Sequence, residues 1–456
     1  MKKSLIFILP VIFFIFFNIL FLPFESEARN IEMVSVDNSG VQGDGNSISP
    51  SISADGRYVA FQSGATNLVS GDTNNRNDIF VYDRNTDTIE RVSVDDSGVQ
   101  GNDNSYAPSI SADGRYVAFE SAATNLVAVD ANAHSDVFVY DRVNDTIEMV
   151  SVNDSNVQGN DYSVFSIISA DGRYVGFYSA ATNLVATDTN ASDDVFIFDR
   201  DTNTIERVSV NDSSVQGNGS SLQPSISSDG RYVAFRSHAT NLVTVDTNTA
   251  QDVFVYDRDT DTIEMVSVND SGVQGNSGSV SPSISSDGRY VAFTSIADNL
   301  VAGDTNVRFD IFAYDRDTDT IDMVSVDNSG VQGNDDSVSP SISSDGRYVA
   351  FYSDATDLVT GDTNGIQDVF VYDRDTDTIE RVSVDNSGVQ GDDISISPSI
   401  SSDGYVAFRS DATNLVTGDT NVGSDVFVSY ILDTSSPPGG GGGSGGCFIS
   451  TCRTLE

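Results

Sequence analysis

The sequence contains very few of the side chains on which most hydrolytic and zinc-dependent active sites rely. Of its 456 residues, only two are histidine (His134 and His238) and two are cysteine (Cys447 and Cys452). Catalytic triads with a histidine base and zinc sites built from nitrogen and sulfur ligands therefore have little support. No cysteine lies between residues 29 and 434, so disulfides do not hold that region together.

Positive charge is also scarce. Lysine and arginine number 23 against 68 aspartate and glutamate residues, a formal net charge of −45 at pH 7. Such a chain repels phosphate, which excludes nucleic-acid binding as the expected function. Hydrophobic residues make up 38% of the chain, too many for disorder, and the 37 glycines among abundant Ser, Thr and Val favour many short strands joined by turns.

The N-terminus has the pattern of a secretory signal. Lys2 and Lys3 precede an apolar run over residues 5–24, and the sequence Ser26-Glu27-Ala28 supplies small residues at the two positions that a signal peptidase reads. We therefore predict a signal peptide over 1–28, with no membrane span after its cleavage. The alternative is an uncleaved anchor, because the apolar run is about as long as a membrane-spanning helix.

A repeat of 58 residues fills the rest of the chain. The string Asp-Gly-Arg-Tyr-Val-Ala-Phe begins at Asp55, Asp113, Asp229, Asp287 and Asp345, and modified copies begin at Asp171 and Asp403. Seven copies occupy residues 29–434 and leave no room for a second folded domain.

Each copy predicts four strands, which in the first copy cover residues 49–53, 57–63, 78–83 and 88–94. The Asp55-Gly56 pair forms the first hairpin turn. Seven such units predict an all-β fold, a seven-bladed β-propeller of four-stranded antiparallel blades. Residues 31–36 match residues 89–94, so the N-terminal strand is expected to complete the last blade and close the ring. An open solenoid is the alternative.

The segment from Pro108 to Phe119, Pro-Ser-Ile-Ser-Ala-Asp-Gly-Arg-Tyr-Val-Ala-Phe, resembles the repeat of TolB-like propellers. That repeat combines a proline, a Ser-x-Asp-Gly turn and an apolar strand, and the resemblance extends over all seven copies. Ser166 departs from it where six copies have proline. The absence of tryptophan argues against Trp-Asp repeat (WD40) propellers. The resemblance implies fold rather than function, because such blades occur in periplasmic translocation proteins, in peptidase gating domains and in many secreted proteins.

The C-terminal segment has a different composition. Residues 435–446 form a linker rich in proline, glycine and serine. Residues 447–456 begin with Cys447-Phe448-Ile449, which is similar to the Cys-Phe-Ile box that follows a poly-glycine tract at the end of many secreted bacterial proteins.

One face of the disc should carry the long connections. In the first copy these are residues 64–77, between strands two and three, and residues 95–107, between strand four and the next blade. We call this the long-loop face, and the opposite side, with the Asp-Gly hairpin and the turn at 83–87, the short-turn face. Elaborated loops on a rigid scaffold are where binding usually resides, so we expect function at the long-loop face.

Every long loop contains the pattern Asp-x-Asn-x-x-x-Asp directly before strand three. Spaced oxygen ligands followed by a carboxylate suit a hard cation, so these residues are candidate calcium ligands. The alternative is that they cap the turn by bonding nearby backbone N–H groups. The residues are Asp72, Asn74, Asp78, Asp130, Asn132, Asp136, Asp188, Asn190, Asp194, Asp246, Asn248, Asp252, Asp304, Asn306, Asp310, Asp362, Asn364, Asp368, Asp419, Asn421 and Asp425.

A second set of candidates comes from positions at which the copies differ. The end of strand two carries Gln62, Glu120, Tyr178, Arg236, Thr294, Tyr352 and Arg409, and His238 lies two residues after Arg236. Aromatic, basic and acidic groups around one opening suit the recognition of a polar ligand, whereas drift at exposed sites is the alternative. The recurrent Arg-Tyr and Asp-Arg pairs are interpreted as contacts between blades or within turns rather than as substrate clamps.

We therefore expect an exported, non-catalytic scaffold of the bacterial periplasm or cell surface. It should act as a monomer, bind a protein or glycan through the long-loop face, and need no cofactor other than calcium. The alternative is a carbohydrate-active enzyme, a glycosidase or lyase, which would require carboxylates unique to single blades that converge near the central channel.

Overall fold

The computed structural model describes residues 31–431. Within that range it contains 28 strands and no helix, arranged as seven four-stranded antiparallel sheets around a central channel. The predicted seven-bladed β-propeller is confirmed. Among the described residues no helix is long and apolar enough to cross a membrane. The predicted signal peptide, the linker and the Cys-Phe-Ile segment lie outside these residues.

The first four blades follow the chain in order. Blade 1 contains β2 (Ser47–Ile52), β3 (Tyr58–Ser63), β4 (Asp78–Asp83) and β5 (Thr88–Arg91). Blade 2 contains β6 (Ser105–Ile110), β7 (Tyr116–Ser121), β8 (Asp136–Asp141) and β9 (Thr146–Met149). Blade 3 contains β10 (Ser163–Ile168), β11 (Tyr174–Ser179), β12 (Asp194–Asp199) and β13 (Thr204–Arg207). Blade 4 contains β14 (Ser221–Ile226), β15 (Tyr232–Ser237), β16 (Asp252–Asp257) and β17 (Thr262–Met265).

The last three blades complete the ring. Blade 5 contains β18 (Ser279–Ile284), β19 (Tyr290–Ser295), β20 (Asp310–Asp315) and β21 (Thr320–Met323). Blade 6 contains β22 (Ser337–Ile342), β23 (Tyr348–Ser353), β24 (Asp368–Asp373) and β25 (Thr378–Arg381). Blade 7 combines β26 (Ser395–Ile400), β27 (Tyr405–Ser410) and β28 (Asp425–Tyr430) with β1 (Glu32–Met33).

The N-terminal strand closes the ring as the repeat phase predicted. In β1, Glu32 pairs with Val428 and Met33 with Phe427 of β28. Blade 7 therefore has its fourth strand, and no open edge separates it from blade 1. The open solenoid is excluded by this pairing.

The first, second and fourth strands of blade 1 have other limits than the sequence predicted, and the changes in the first and fourth strands have physical reasons. The first strand starts at Ser47 and contains a bulge, because Ile48 pairs with Gln62 while the next paired residue is Ser51. The proline in this bulge has no N–H group to give to the ladder. The fourth strand ends at Arg91 rather than at residue 94, because the Ile79 N–H of the third strand donates to the Ser93 hydroxyl oxygen at 3.1 Å instead of to a backbone carbonyl. The same hydroxyl donates to Asp78 Oδ1 at 2.6 Å.

The core lies between neighbouring blades. The cluster between blades 1 and 2 joins Ala60, Ile79 and Val81 to Val117 and Phe119, all essentially inaccessible to solvent. In each blade the second and third strands also contribute one stacked phenylalanine pair, with ring centroids 6.0 to 6.1 Å apart. Because both faces of every sheet are covered, these strands are apolar almost throughout.

The recurrent Arg-Tyr pair joins adjacent blades on the short-turn side. The ring of Tyr174 in blade 3 lies between the guanidinium of its own Arg173, 4.7 Å from the ring centroid, and that of Arg258 in blade 4, 4.4 Å away. The same ring packs on Gly230 of blade 4, where a Cβ atom would come within 2.1 Å of it. These residues therefore form contacts between blades.

Candidate functional site

Differences between the seven copies are concentrated on the long-loop side. On the opposite side, the Asp-Arg pair and the threonine that begins strand four recur in blades 1 to 6. By contrast, the positions equivalent to residue 46 (before strand one), residue 62 (in strand two) and residue 77 (before strand three) each carry at least five residue types in seven copies. In a repeat whose scaffold needs the same residue every time, such positions are free to supply an asymmetric binding site.

The position equivalent to residue 62 lies at the mouth of the central channel. It pairs with the residue that precedes the bulge of strand one, as Gln62 does with Ile48. In two blades its side chain also accepts a hydrogen bond from the bulge of the next blade. Glu120 Oε2 accepts a hydrogen bond of 2.7 Å from the Phe165 N–H, and Thr294 Oγ1 accepts one of 3.1 Å from the Ser339 N–H.

The bulges themselves line the channel, which has a volume of about 380 Å³. Each blade contributes the bulge residue and the two residues after it, and the bulge residue has a positive φ in all seven blades. We define the channel mouth as these bulge residues together with the positions equivalent to residues 46, 62, 64 and 77.

Blade 3 breaks the symmetry of the channel. Its bulge residue is Phe165, which is 39% exposed and lies with its ring centroid 6.3 Å from that of Tyr178. Ser166 replaces proline, and its buried hydroxyl has no hydrogen-bond partner among residues 31–431. Ile167 replaces the serine of the other blades, and Gly176 replaces alanine opposite it. A Cβ atom on Gly176 would lie 3.0 Å from Ile167 Cγ2, so the two changes are complementary.

Three of the predicted ligand-binding residues come together on blades 2, 3 and 4. Burial raises the pKa of the Glu120 carboxyl, although the Phe165 N–H opposes the shift. Burial also raises the pKa of Tyr178, and the charges of Glu120 and Asp193 raise it further, while Arg236 lowers it. Burial lowers the pKa of Arg236. A phenol thus lies among two carboxylates and a guanidinium at one side of the channel mouth.

Hydrogen bonds extend this group along blades 3 and 4. Arg236 Nη1 donates to Gln251 Oε1 at 2.6 Å, and Gln251 Nε2 lies 2.7 Å from His238 Nε2. The Tyr162 hydroxyl donates to Asp193 Oδ1 at 2.6 Å. We call Glu120, Tyr178, Arg236, His238 and their partners Phe165, Tyr162, Asp193 and Gln251 the blade 2–4 cluster.

The other predicted ligand-binding residues lie elsewhere around the mouth. Gln62 and Thr294 are buried. Tyr352 packs on the apolar cluster between blades 6 and 7. Arg409 Nη2 lies 3.3 Å from both carboxylate oxygens of Asp411 in its own blade. The structure therefore gathers four of the eight predicted residues and separates the rest.

In blades 2 to 7, both aspartates of the Asp-x-Asn-x-x-x-Asp loop accept hydrogen bonds from one glutamine side chain. In blade 1, Asp72 Oδ1 is buried and has no hydrogen-bond partner among residues 31–431. In blade 3, Gln216 Nε2 donates to Asp188 Oδ1 at 2.8 Å and to Asp194 Oδ2 at 2.6 Å. Asn190 Oδ1 accepts from the Ser192 N–H. Within residues 31–431, no three His, Cys, Asp or Glu side chains form a group that could hold a metal ion. Calcium binding stays a prediction.

The seven loops differ in their countercharge. In blades 1, 3 and 6 an arginine at the end of strand four lies near the aspartate pair, as when Arg207 Nη1 lies 3.5 Å from Asp194 Oδ2. The other blades have methionine there, and burial raises the pKa of the inner carboxyl to about 6. These carboxyls belong to Asp136, Asp252, Asp310 and Asp425.

Sequence reasoning missed several residues of these sites. Tyr162, Asp193 and Gln251 were not selected, although variation at their positions is the same signal that selected Tyr178. The glutamine of the recurrent Val-Gln-Gly string, which binds the aspartate pair in six blades, was also missed. Its invariance over the copies could have indicated a structural role.

Comparison with protein-family models and with curated proteins finds no match. Among solved structures, the chain is similar to an oligogalacturonate lyase in complex with manganese, at 13% identity and a TM-score of 0.53, over 89% of this chain and 97% of the lyase. It is also similar to the β-propeller domain of the Trilobed protease from Pyrococcus furiosus, at 13% identity and a TM-score of 0.52, over 85% and 94%.

A putative TolB from Agrobacterium tumefaciens matches at 16% identity over 65% of this chain and 88% of that protein, with a TM-score of 0.39. The similarities to the lyase and to the protease domain, both at 13% identity, show a shared fold alone. Residues 31–431 have the propeller fold that the TolB-like repeat implied, with the seven blades that the number of repeats predicted.

Proposed function

We propose that this protein is an exported, non-catalytic binding protein whose channel mouth receives a protein or glycan partner at the cell envelope. The observation that carries the proposal is the concentration of differences between copies at the mouth, where the blade 2–4 cluster combines aromatic, acidic and basic groups. A rigid ring presents these groups at little cost in conformational entropy on binding.

The proposed location rests on the N-terminal signal pattern, which favours the periplasm or the cell surface. Because blade 7 is completed by the chain's own first strand, one chain forms the whole ring, which supports action as a monomer. The charge of −45 favours a partner without an extended negative surface, and any negatively charged group that it carries must meet one of the few arginines at the mouth.

Two variants with matched numbers of substitutions test the proposal. The mouth variant carries Tyr178→Ala, Arg236→Ala and Tyr352→Ala, and the short-turn variant carries Asp201→Ala, Asp259→Ala and Asp317→Ala, which remove exposed carboxylates. Both are screened with the wild type against immobilised bacterial envelope glycans and purified envelope proteins. We expect binding that the mouth variant loses and the short-turn variant retains. Loss confined to the short-turn variant would overturn the proposal.

One observation favours a second candidate, a carbohydrate-active enzyme. Glu120 and Asp193 are acidic, whereas the equivalent positions of the other blades are not. The charges of both carboxylates raise the pKa of Tyr178 near the channel. The oligogalacturonate lyase is an enzyme on a similar fold. Incubation with envelope polysaccharides separates the two functions. A binding protein releases no new reducing ends or unsaturated sugars, whereas turnover that Glu120→Gln abolishes would establish the enzyme.

A further inference from the structure

Nearly every arginine of the described chain is paired with a carboxylate. Residues 31–431 contain 19 arginines and no lysine. Seventeen of them lie within 4.0 Å of an aspartate or glutamate oxygen. Among the described residues the exceptions are Arg236 at the channel mouth and Arg374 between blades 5 and 6. In a protein of net charge −45, an arginine left without an acidic partner is unusual and calls for an explanation.

In blade 7, the arginine equivalent to Arg236 does have an acidic partner. Arg409 occupies the equivalent position, and its Nη2 lies 3.3 Å from both oxygens of Asp411. The Ser424 hydroxyl donates a hydrogen bond of 2.6 Å to Asp411 Oδ1. In blade 4 the residues equivalent to Asp411 and Ser424 are His238 and Gln251. Blade 4 therefore keeps the arginine and replaces its carboxylate with an imidazole.

The surroundings of the two arginines are otherwise alike. Both Nε atoms are buried and have no hydrogen-bond partner among residues 31–431. Both guanidinium groups are partly buried, so a carboxylate near either one interacts more strongly than it would in open solvent. In blade 4, Gln251 accepts a hydrogen bond from Arg236 through its oxygen and contacts His238 through its nitrogen, so its amide bridges the two side chains.

We propose that Arg236 and His238 bind a carboxylate or phosphate group of the ligand, which gives Arg236 the acidic partner that Asp411 gives Arg409 in blade 7. Arginine pairs with either oxyanion through two N–H groups, and imidazole supplies a further donor. This inference rests on the proposed function, because it names the chemistry by which the mouth recognises its partner. Phe165 and Tyr178, whose ring centroids lie 6.3 Å apart in the same blade 2–4 cluster, offer an aromatic surface for the rest of the ligand.

The two histidines make a direct test possible. Sodium acetate and sodium phosphate are titrated separately into the protein at constant ionic strength, with chloride as the balancing ion, while NMR records the imidazole resonances. We expect a saturable shift of the His238 resonances and none of His134, which lies 3.7 Å from Asp161. A response to acetate alone indicates a carboxylate ligand, and one to phosphate alone indicates a phosphorylated ligand.

Variants separate this site from general ion effects. Arg236→Gln should abolish the His238 shift, whereas Arg374→Gln, which changes the other unpaired arginine, should leave it intact. His238→Asp recreates the Arg-Asp pair of blade 7, and it should abolish any rise in melting temperature caused by the effective anion. Equal shifts of both histidines, or a His238 shift that survives Arg236→Gln, would overturn the inference. If the envelope partner still binds the mouth in that case, the proposed function stands without it.

Discussion

The Asp-Gly hairpin is expected to be the least replaceable contact between blades, and Gly230→Ala tests this. Gly230 has a φ of +74°, where alanine costs about 1–2 kcal/mol. The new Cβ would also lie 2.1 Å from the Tyr174 ring, so the ring must move. Moving it disturbs two cation–π contacts, each worth about 0.5–1 kcal/mol, and the 2.5 Å hydrogen bond from Arg258 Nη1 to the Gly230 carbonyl.

Gly272→Ala is the matched control. Gly272 has a φ of +71°, and a Cβ atom there meets nothing within 4 Å. Gly272→Ala should therefore lower the free energy of unfolding only by the cost of the positive φ, about 1–2 kcal/mol, whereas Gly230→Ala should lower it by about 3–4 kcal/mol. Urea unfolding followed by tyrosine fluorescence measures both, since the chain has no tryptophan. Equal losses in the two variants would refute the idea that the glycine is required by the tyrosine of the preceding blade.

Three further predictions concern charge. In blades 1 to 4 and 7 a glutamate pairs with the arginine of the following blade, and in blade 5 Asp322 replaces this glutamate. Asp322→Glu should therefore give Arg374 a partner and raise the free energy of unfolding by about 0.5 kcal/mol, as measured by urea unfolding. Glu264→Asp should lower the free energy of unfolding in the same assay. The four carboxyls with a pKa near 6 hold protons more tightly in the folded than in the unfolded state, so stability should fall as pH rises from about 4 to 6, by on the order of 1–2 kcal/mol for each carboxyl. Asp252→Asn should flatten that profile, and stability that rose with pH over this window would contradict the assignment. If the long loops bind calcium, millimolar Ca²⁺ should raise the melting temperature above its value in EDTA, and an equal rise with Mg²⁺ would leave their Asp and Asn residues as turn caps.

The sequence by itself determined the architecture, because each blade repeats a local pattern. Apolar alternation and the Asp-Gly turn, both set by residues only a few positions apart, specify strands and a hairpin. The constant spacing specifies seven copies, and the match between residues 31–36 and 89–94 specifies ring closure. The predicted strand limits were wrong where a side chain or a proline interrupts the ladder, as at Ser93 and at the bulge of strand one.

Only the tertiary structure decided what each site contains, because the decisive contacts join residues on different strands or blades. Glu120 meets the Phe165 N–H across 45 residues, and Gln42 meets Asp425 across 383. Variation between copies identified the channel mouth. It could not show that Gln251 bridges Arg236 and His238, because that contact depends on which side chains the paired strands bring within reach.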